Sequence, residues 1–247
     1  MDETNAFLHA LTTREPDDPT ACDGWRVRDL VAHIVAGAKE EAELIEDALR
    51  GVPGRPTRPF PEREAAYAAM PYPELLSALA LEGVRLNAAV QALAAAGGTV
   101  EFTGALMTGA DFRMHGRSEL ALHRRDLVGD DEVGRCLLAQ PELTAHAVKV
   151  LTVMSTLQES IATRAARAAG APAGFAFRMR SPGRGDVVVR VAPTPSLQMA
   201  PPGDELPVVL CSAADRLLAL WGRRPAGELD MSRNPDVRAL VESVLYL

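Results

Sequence analysis

Aromatic side chains make up only 4% of this 247-residue chain, lysine is scarce among its 26 cationic residues, and cysteine occurs three times. Each scarcity excludes something. The cysteines, Cys22, Cys136 and Cys211, are widely spaced and odd in number, which fits reduced thiols in a reducing compartment and not a disulfide framework. No apolar run is long enough to span a bilayer, and Met1-Asp2-Glu3-Thr4 lacks the basic and apolar regions of a secretory signal. A cytoplasmic protein is expected, with no membrane partner. The formal net charge is −7 and the main basic clusters, Arg124-Arg125 and Arg223-Arg224, are only pairs, so no broad cationic surface exists for phosphate backbones and nucleic acid is not an expected partner.

What the chain has is apolar text, 47% of its residues, enough to bury a normal core as one large domain or two modest ones. Asp23-Gly24-Trp25-Arg26 reads as a turn into a helix, because Val27, Leu30, Val31, Ile34, Val35, Ala38 and Ile45 recur at helical spacing until Gly51-Val52-Pro53-Gly54. A proline- and arginine-rich loop is expected from Val52 to about Pro61. A second helix follows from Pro73 to Ala96, ended by Gly97-Gly98. A third segment centres on Glu119 to Val128, and a fourth runs from Pro141 to about Ala169. With a short helix near Asn5 to Thr12, the first part reads as an all-helical bundle.

The texture changes after Gly170-Ala171-Pro172. Phe175 to Arg180 alternates, Pro182-Gly183-Arg184-Gly185 has the composition of a hairpin turn, and Asp186 to Val191 is rich in β-branched residues, so a strand pair is predicted. A strand at Leu206 to Cys211, a helix from Ala213 to Trp221 and a last helix from about Pro235 to Tyr246 complete the pattern. The expected fold class is α+β with two domains, a helical bundle over residues 1–170 and a small α+β domain over 171–247.

The chemistry-bearing residues are two histidines and a carboxylate on helical text. Glu119 and His123 lie four positions apart, so on a helix they share one face and can grip a single ion. His33 sits at the edge of the apolar stripe of a different helix, from which it can face a cleft between helices, and bundles build metal sites from such facing side chains. Two imidazoles and one carboxylate suit zinc with an open position, although iron, nickel, cobalt or manganese occupy similar sets. The Glu-x3-His spacing by itself arises often on ordinary helices as an exposed pair, so the surrounding text has to supply specificity.

That text is Thr20-Ala21-Cys22-Asp23-Gly24-Trp25-Arg26-Val27-Arg28-Asp29-Leu30-Val31-Ala32-His33 and Glu119-Leu120-Ala121-Leu122-His123-Arg124-Arg125-Asp126-Leu127. These segments resemble the two signature segments of the mycothiol-dependent maleylpyruvate isomerase family, which is related to the DinB/YfiT-like metal-binding bundles. The resemblance implies a DinB-like four-helix bundle followed by a small α+β domain, and metal ligation by His33, Glu119 and His123. It also implies a divalent metal, zinc foremost, and mycothiol as thiol cosubstrate. The stretch from Asp215 to Pro225 is similar to the family's second domain, where an arginine after glycine contributes to activity; Arg223 is the matching position. Arg223 then either clamps a carboxylate or cofactor group, or only solvates a turn.

The expected activity is therefore thiol-dependent cis-trans isomerisation of an unsaturated substrate, with a small molecule and a low-molecular-weight thiol as partners and a monomer or homodimer as the assembly. A mycothiol S-transferase and a non-catalytic metal-binding module are the alternatives. Gly116 with Arg117, and the pair Arg124-Arg125, depart from the family's pattern near the expected site and keep the transferase reading open. His115 is either an extra ligand or a loop histidine beside Gly116, and Asp126 either orients His123 or faces water. Trp25 is expected to anchor the helix entrance. Cys22 is expected to pack, having no identifiable histidine base, and His9 and His146 are expected at surface or satisfied core positions.

Overall fold

The computed structural model describes residues 2–154, 174–191, 195–223, 229–231 and 235–245, and these divide into two compact units, Met1–Asp131 and Glu132–Leu247. In the first unit, α1 (Glu3–Leu11) starts where the Asp2 carboxylate accepts the backbone N–H of Asn5 at 2.8 Å. α2 (Val27–Leu49) starts similarly, with the Asp29 carboxylate accepting the Arg26 N–H at 2.9 Å, which satisfies a donor that the first turn leaves unpaired. Its predicted stripe is the core: Val27, Leu30, Val31, Val35 and Ile45 are all completely buried.

α3 (Phe60–Ala68) stands where the sequence reads as loop up to about Pro61 followed by unassigned text. Its two turns are too short for periodicity to declare them, but Pro61 near its start suits a first helical turn. α4 (Tyr72–Ala96) ends at Gly97, whose φ of 69° is the left-handed conformation that closes a helix. A hairpin not anticipated from the sequence follows, β1 (Thr99–Phe102) against β2 (Ala105–Thr108), with Thr103 and Gly104 both at positive φ, 49° and 82°, as a two-residue turn between twisted strands requires. Thr108 then caps α5 (Gly109–Val128), exchanging hydrogen bonds with Asp111.

α2 packs along α4, α4 against α5, and α5 against α1, so the four-membered bundle is α1, α2, α4 and α5. The segment from Pro141 is not its fourth member. α6 (Glu132–Leu138) and α7 (Pro141–Val153) belong to the second unit, where α6 packs on α8 (Ala213–Leu220) and α7 on α8 and on the strand Ser196–Ala200. The change of unit therefore falls at 131/132, ahead of the 170/171 boundary expected from texture, because helical text says nothing about which core a helix covers. The remainder of the expected fourth helix, 155–169, lies outside the described residues.

The second unit carries a four-stranded sheet in the order β5-β4-β3-β6, from β3 (Ala176–Arg180), β4 (Asp186–Arg190), β5 (Ser196–Ala200) and β6 (Val208–Leu210). The predicted pair β3/β4 is an antiparallel hairpin, and β6 joins β3 in parallel. Phe177, Met179 and Val187 are fully buried; on the opposite face Asp186 is fully buried as well, and Arg178 and Arg180 both meet its carboxylate. The last elements among the described residues are a single 3-10 turn (Pro235–Val237) and α9 (Arg238–Leu245), close to the predicted last helix. No helix among the described residues is long and apolar enough to cross a membrane.

Candidate metal centre

α2 supplies His33 and α5 supplies Glu119 and His123, and the three bring one ligand atom each to within 4.8 Å of one another. Glu119 Oε2 is the hub, 3.4 Å from His123 Nε2 and 3.8 Å from His33 Nε2. Ligands about 2 Å from a shared zinc lie about 3–4 Å apart in a tetrahedral set, so the donors fit one small cation in number, type and spacing. The one-turn offset of Glu119 and His123 is the helical face read from the sequence, while the approach of His33 is set by the packing of α2 and α5 in one bundle.

Each imidazole is turned by a carboxylate on its outer nitrogen. His33 Nδ1 lies 2.7 Å from Glu64 Oε1, on α3. His123 Nδ1 lies 3.0 Å from Asp126 Oδ2, within ion-pair distance but without the alignment of a full hydrogen bond. A carboxylate beside each Nδ1 favours a proton there and leaves both Nε2 atoms toward Glu119, one of the two ways an imidazole ligates. Asp126 does not face water: it is 2% exposed and also accepts the Cys22 thiol at 3.3 Å. Cys22 correspondingly has His123 as a neighbour, and Cys22, His123 and Asp126 form a second convergent group; tertiary packing supplies the imidazole that linear text around Cys22 does not.

The walls are apolar. Trp25 stacks on His123 with centroids 6.5 Å apart and an interplanar angle of 13°, and its ring lies 5.1 Å from that of His33. The half-exposed Phe60 ring also packs against His33, with centroids 5.4 Å apart. Trp25 thus anchors the helix entrance, as expected, and lines the site as well. Burial works against every charge here, yet the imidazoles of His123 and His33 hold the Glu119 carboxyl well below the carboxylate range. Asp126, Cys22 and Glu119 in turn hold His123 well above the usual histidine value despite its burial.

His115 is not in the convergent group. α5 is continuous through Gly116, and His115 is buried with its ring 5.6 Å from that of Phe102, where burial lowers its pKa and favours the neutral ring. The departures from the family pattern engage other partners: Arg117 pairs with Glu3, Arg124 with Asp131 and Arg125 with Asp130. Arg223 follows α8 in the second unit, its backbone N–H donated to the Leu218 carbonyl at 2.9 Å. His9 is exposed on α1 and His146 is buried in α7.

Sequence reading missed Glu64, Phe60, Arg63 and Glu41. The signal was available in part: Phe60, Glu64 and Tyr67 repeat at helical spacing, and Glu41 lies two steps of four from His33 along α2.

The family model described as the mycothiol maleylpyruvate isomerase N-terminal domain matches residues 1–128. No curated protein sequence matches the chain. Among solved structures, the chain is similar to the crystal structure of the mycothiol-dependent maleylpyruvate isomerase, with a TM-score of 0.60, 18% identity, and coverage of 93% of this chain and 91% of the other. A histidine-to-alanine mutant of the mycothiol-dependent maleylpyruvate isomerase matches over the same shares, with a TM-score of 0.56 and 17% identity. At that identity the likeness establishes the shared fold.

Proposed function

This chain belongs to the family of the mycothiol maleylpyruvate isomerase N-terminal domain, and on that footing we propose that it is a metal-dependent enzyme using mycothiol to isomerise a cis-unsaturated acid. The observation that carries the reading is the convergence of His33, Glu119 and His123. These residues would hold the metal. A bound zinc supplies Lewis acidity that lowers the pKa of a thiol and so presents it as thiolate near neutral pH.

The protein's own groups do the rest. Glu64 and Asp126 orient the two imidazoles, and the rings of Trp25 and Phe60 pack against His33. In the chemistry we propose, the thiolate sulfur bonds to one alkene carbon while the π pair moves onto the conjugated carbonyl oxygen. Rotation about the resulting single bond follows; the pair then returns, the C–S bond breaks, and the thiol is regenerated with no net redox change. Arg223 holds a carboxylate or the developing enolate oxygen. Such a thiol-dependent reaction belongs in a reducing cytoplasm.

A mycothiol S-transferase shares the first step and differs in its fate, because sulfur stays on the product. Its support came from Arg117, Arg124 and Arg125, and these are committed to Glu3, Asp131 and Asp130, so isomerisation is the reading we favour. The test is to assay the purified protein and a His33→Ala variant for bound metal and for conversion of a cis-unsaturated acid with catalytic mycothiol. Isomerised product with the thiol recovered supports the isomerase; stoichiometric thiol loss makes it a transferase. Metal without turnover leaves a binding module, and equal metal in the two proteins removes the site.

A further inference from the structure

On α3, Phe60, Arg63 and Glu64 share one face at spacings of three and four. Glu64 reaches His33, Phe60 packs on the His33 ring, and the Arg63 guanidinium lies over Phe60, 4.2 Å from the ring centroid. That sets a cation one ring away from a candidate metal ligand. The charges that act on it most are those of Glu41, Glu64, Glu40 and Glu119, and its own charge lowers the pKa of His115.

None of these acids is paired with it. Glu64 is engaged by His33, Glu40 by Arg55 and Arg58, and Glu119 lies between His33 and His123. Glu41 is 5% exposed with its Oε2 buried and unpartnered, and burial, then the charge of Glu119, pushes its carboxyl up to about 8. The Arg63 Nε is itself buried without a hydrogen-bond partner among the described residues. A desolvated guanidinium donor is costly to leave unmade, so its persistence beside a reactive centre points to an acceptor that arrives with a ligand.

We propose that Arg63 determines substrate specificity by receiving a carboxylate of the electrophile in its guanidinium fork, the plane of which is fixed by stacking on Phe60. A carboxylate suits the site because its two oxygens match the planar guanidinium fork with two parallel N–H donors. The proposal deepens the reading of a thiol-dependent enzyme acting on an unsaturated acid and rests on it for the identity of the ligand. It concerns the first unit alone and does not depend on Arg223.

The test is calorimetric titration of the full chain with maleate, for the wild type, Arg63→Gln and Arg63→Lys, with metal content and circular dichroism recorded on the same samples. Arg63→Gln weakens maleate binding by about tenfold or more, Arg63→Lys by less, and metal content stays at the wild-type value. Equal maleate binding by the wild type and Arg63→Gln, no maleate binding by the wild type, or loss of metal together with maleate overturns it. If Arg63→Gln does not fold, the same comparison is read from Arg63→Lys, where unchanged binding is the contrary result. Thiol-dependent turnover alongside equal maleate binding removes the role of Arg63 and leaves the enzyme; Arg63-dependent maleate binding without any thiol-dependent turnover removes the enzyme and leaves the carboxylate site.

Discussion

His33 Nδ1 lies 2.7 Å from Glu64 Oε1, 31 residues further along the chain, so a two-turn helix with no clear sequence signature sets the orientation of a candidate metal ligand. In the absence of that contact the Nδ1 proton loses its acceptor, and the tautomer that leaves Nε2 toward Glu119 is no longer favoured.

Glu64→Gln is therefore expected to weaken metal binding by about 10–100-fold, the usual cost of losing a carboxylate behind a ligating histidine, with the helical circular dichroism unchanged. Competition of each protein with a metal-sensitive chelator measures the difference; equal affinities would show that Glu64 does not act on His33.

Glu41 gives a pH signature. Its folded pKa of about 8 exceeds the ordinary 4.5, so between these values the unfolded chain has released the proton that the folded protein keeps, and stability falls as pH rises through that window. Glu41→Gln removes the slope and is expected to stabilise the protein at pH 7.5 by on the order of 1–3 kcal/mol, with little difference at pH 4. Urea unfolding of the two proteins at several pH values checks it, and parallel curves would sink the assignment.

Gly109 opens α5 hard against α4: an added Cβ would stand 2.8 Å from Ala94 Cβ, Ala94 N and Val90 O. Backbone atoms do not swing aside. Gly109→Ala is expected to cost about 1–3 kcal/mol and, by displacing the helix that carries Glu119 and His123, to reduce metal occupancy as well. Thermal melts and metal analysis read the two effects, and an unchanged melting temperature contradicts the close approach.

For Arg223, whose role is proposed, Arg223→Ala is expected to lower kcat/KM by on the order of a hundredfold, as removal of a group stabilising developing negative charge does. Metal content is expected to remain at the wild-type level. Steady-state kinetics decides it, and a loss of metal with activity would assign Arg223 a structural part.

Local text was sufficient wherever the physics is local. The α2 stripe, the Gly97 stop, the one-face pairing of Glu119 with His123, and the β3/β4 hairpin all follow from periods of 3.6 and 2 and from turn chemistry. His33, Glu119 and His123 were legible as candidate metal ligands because their neighbours resemble a family signature, and the fold brings one ligand atom of each within 4.8 Å of the others. What the sequence did not disclose depends on contacts between distant segments. α3 has only the short run Phe60, Glu64 and Tyr67 to declare it, and the unit to which α7 belongs depends on which hydrophobic surface accepts it. The partners of Asp126 and the isolation of Arg63 arise from the bundle as a whole, since burial and pairing in three dimensions, unlike helical phase, leave no mark on any single stretch of chain.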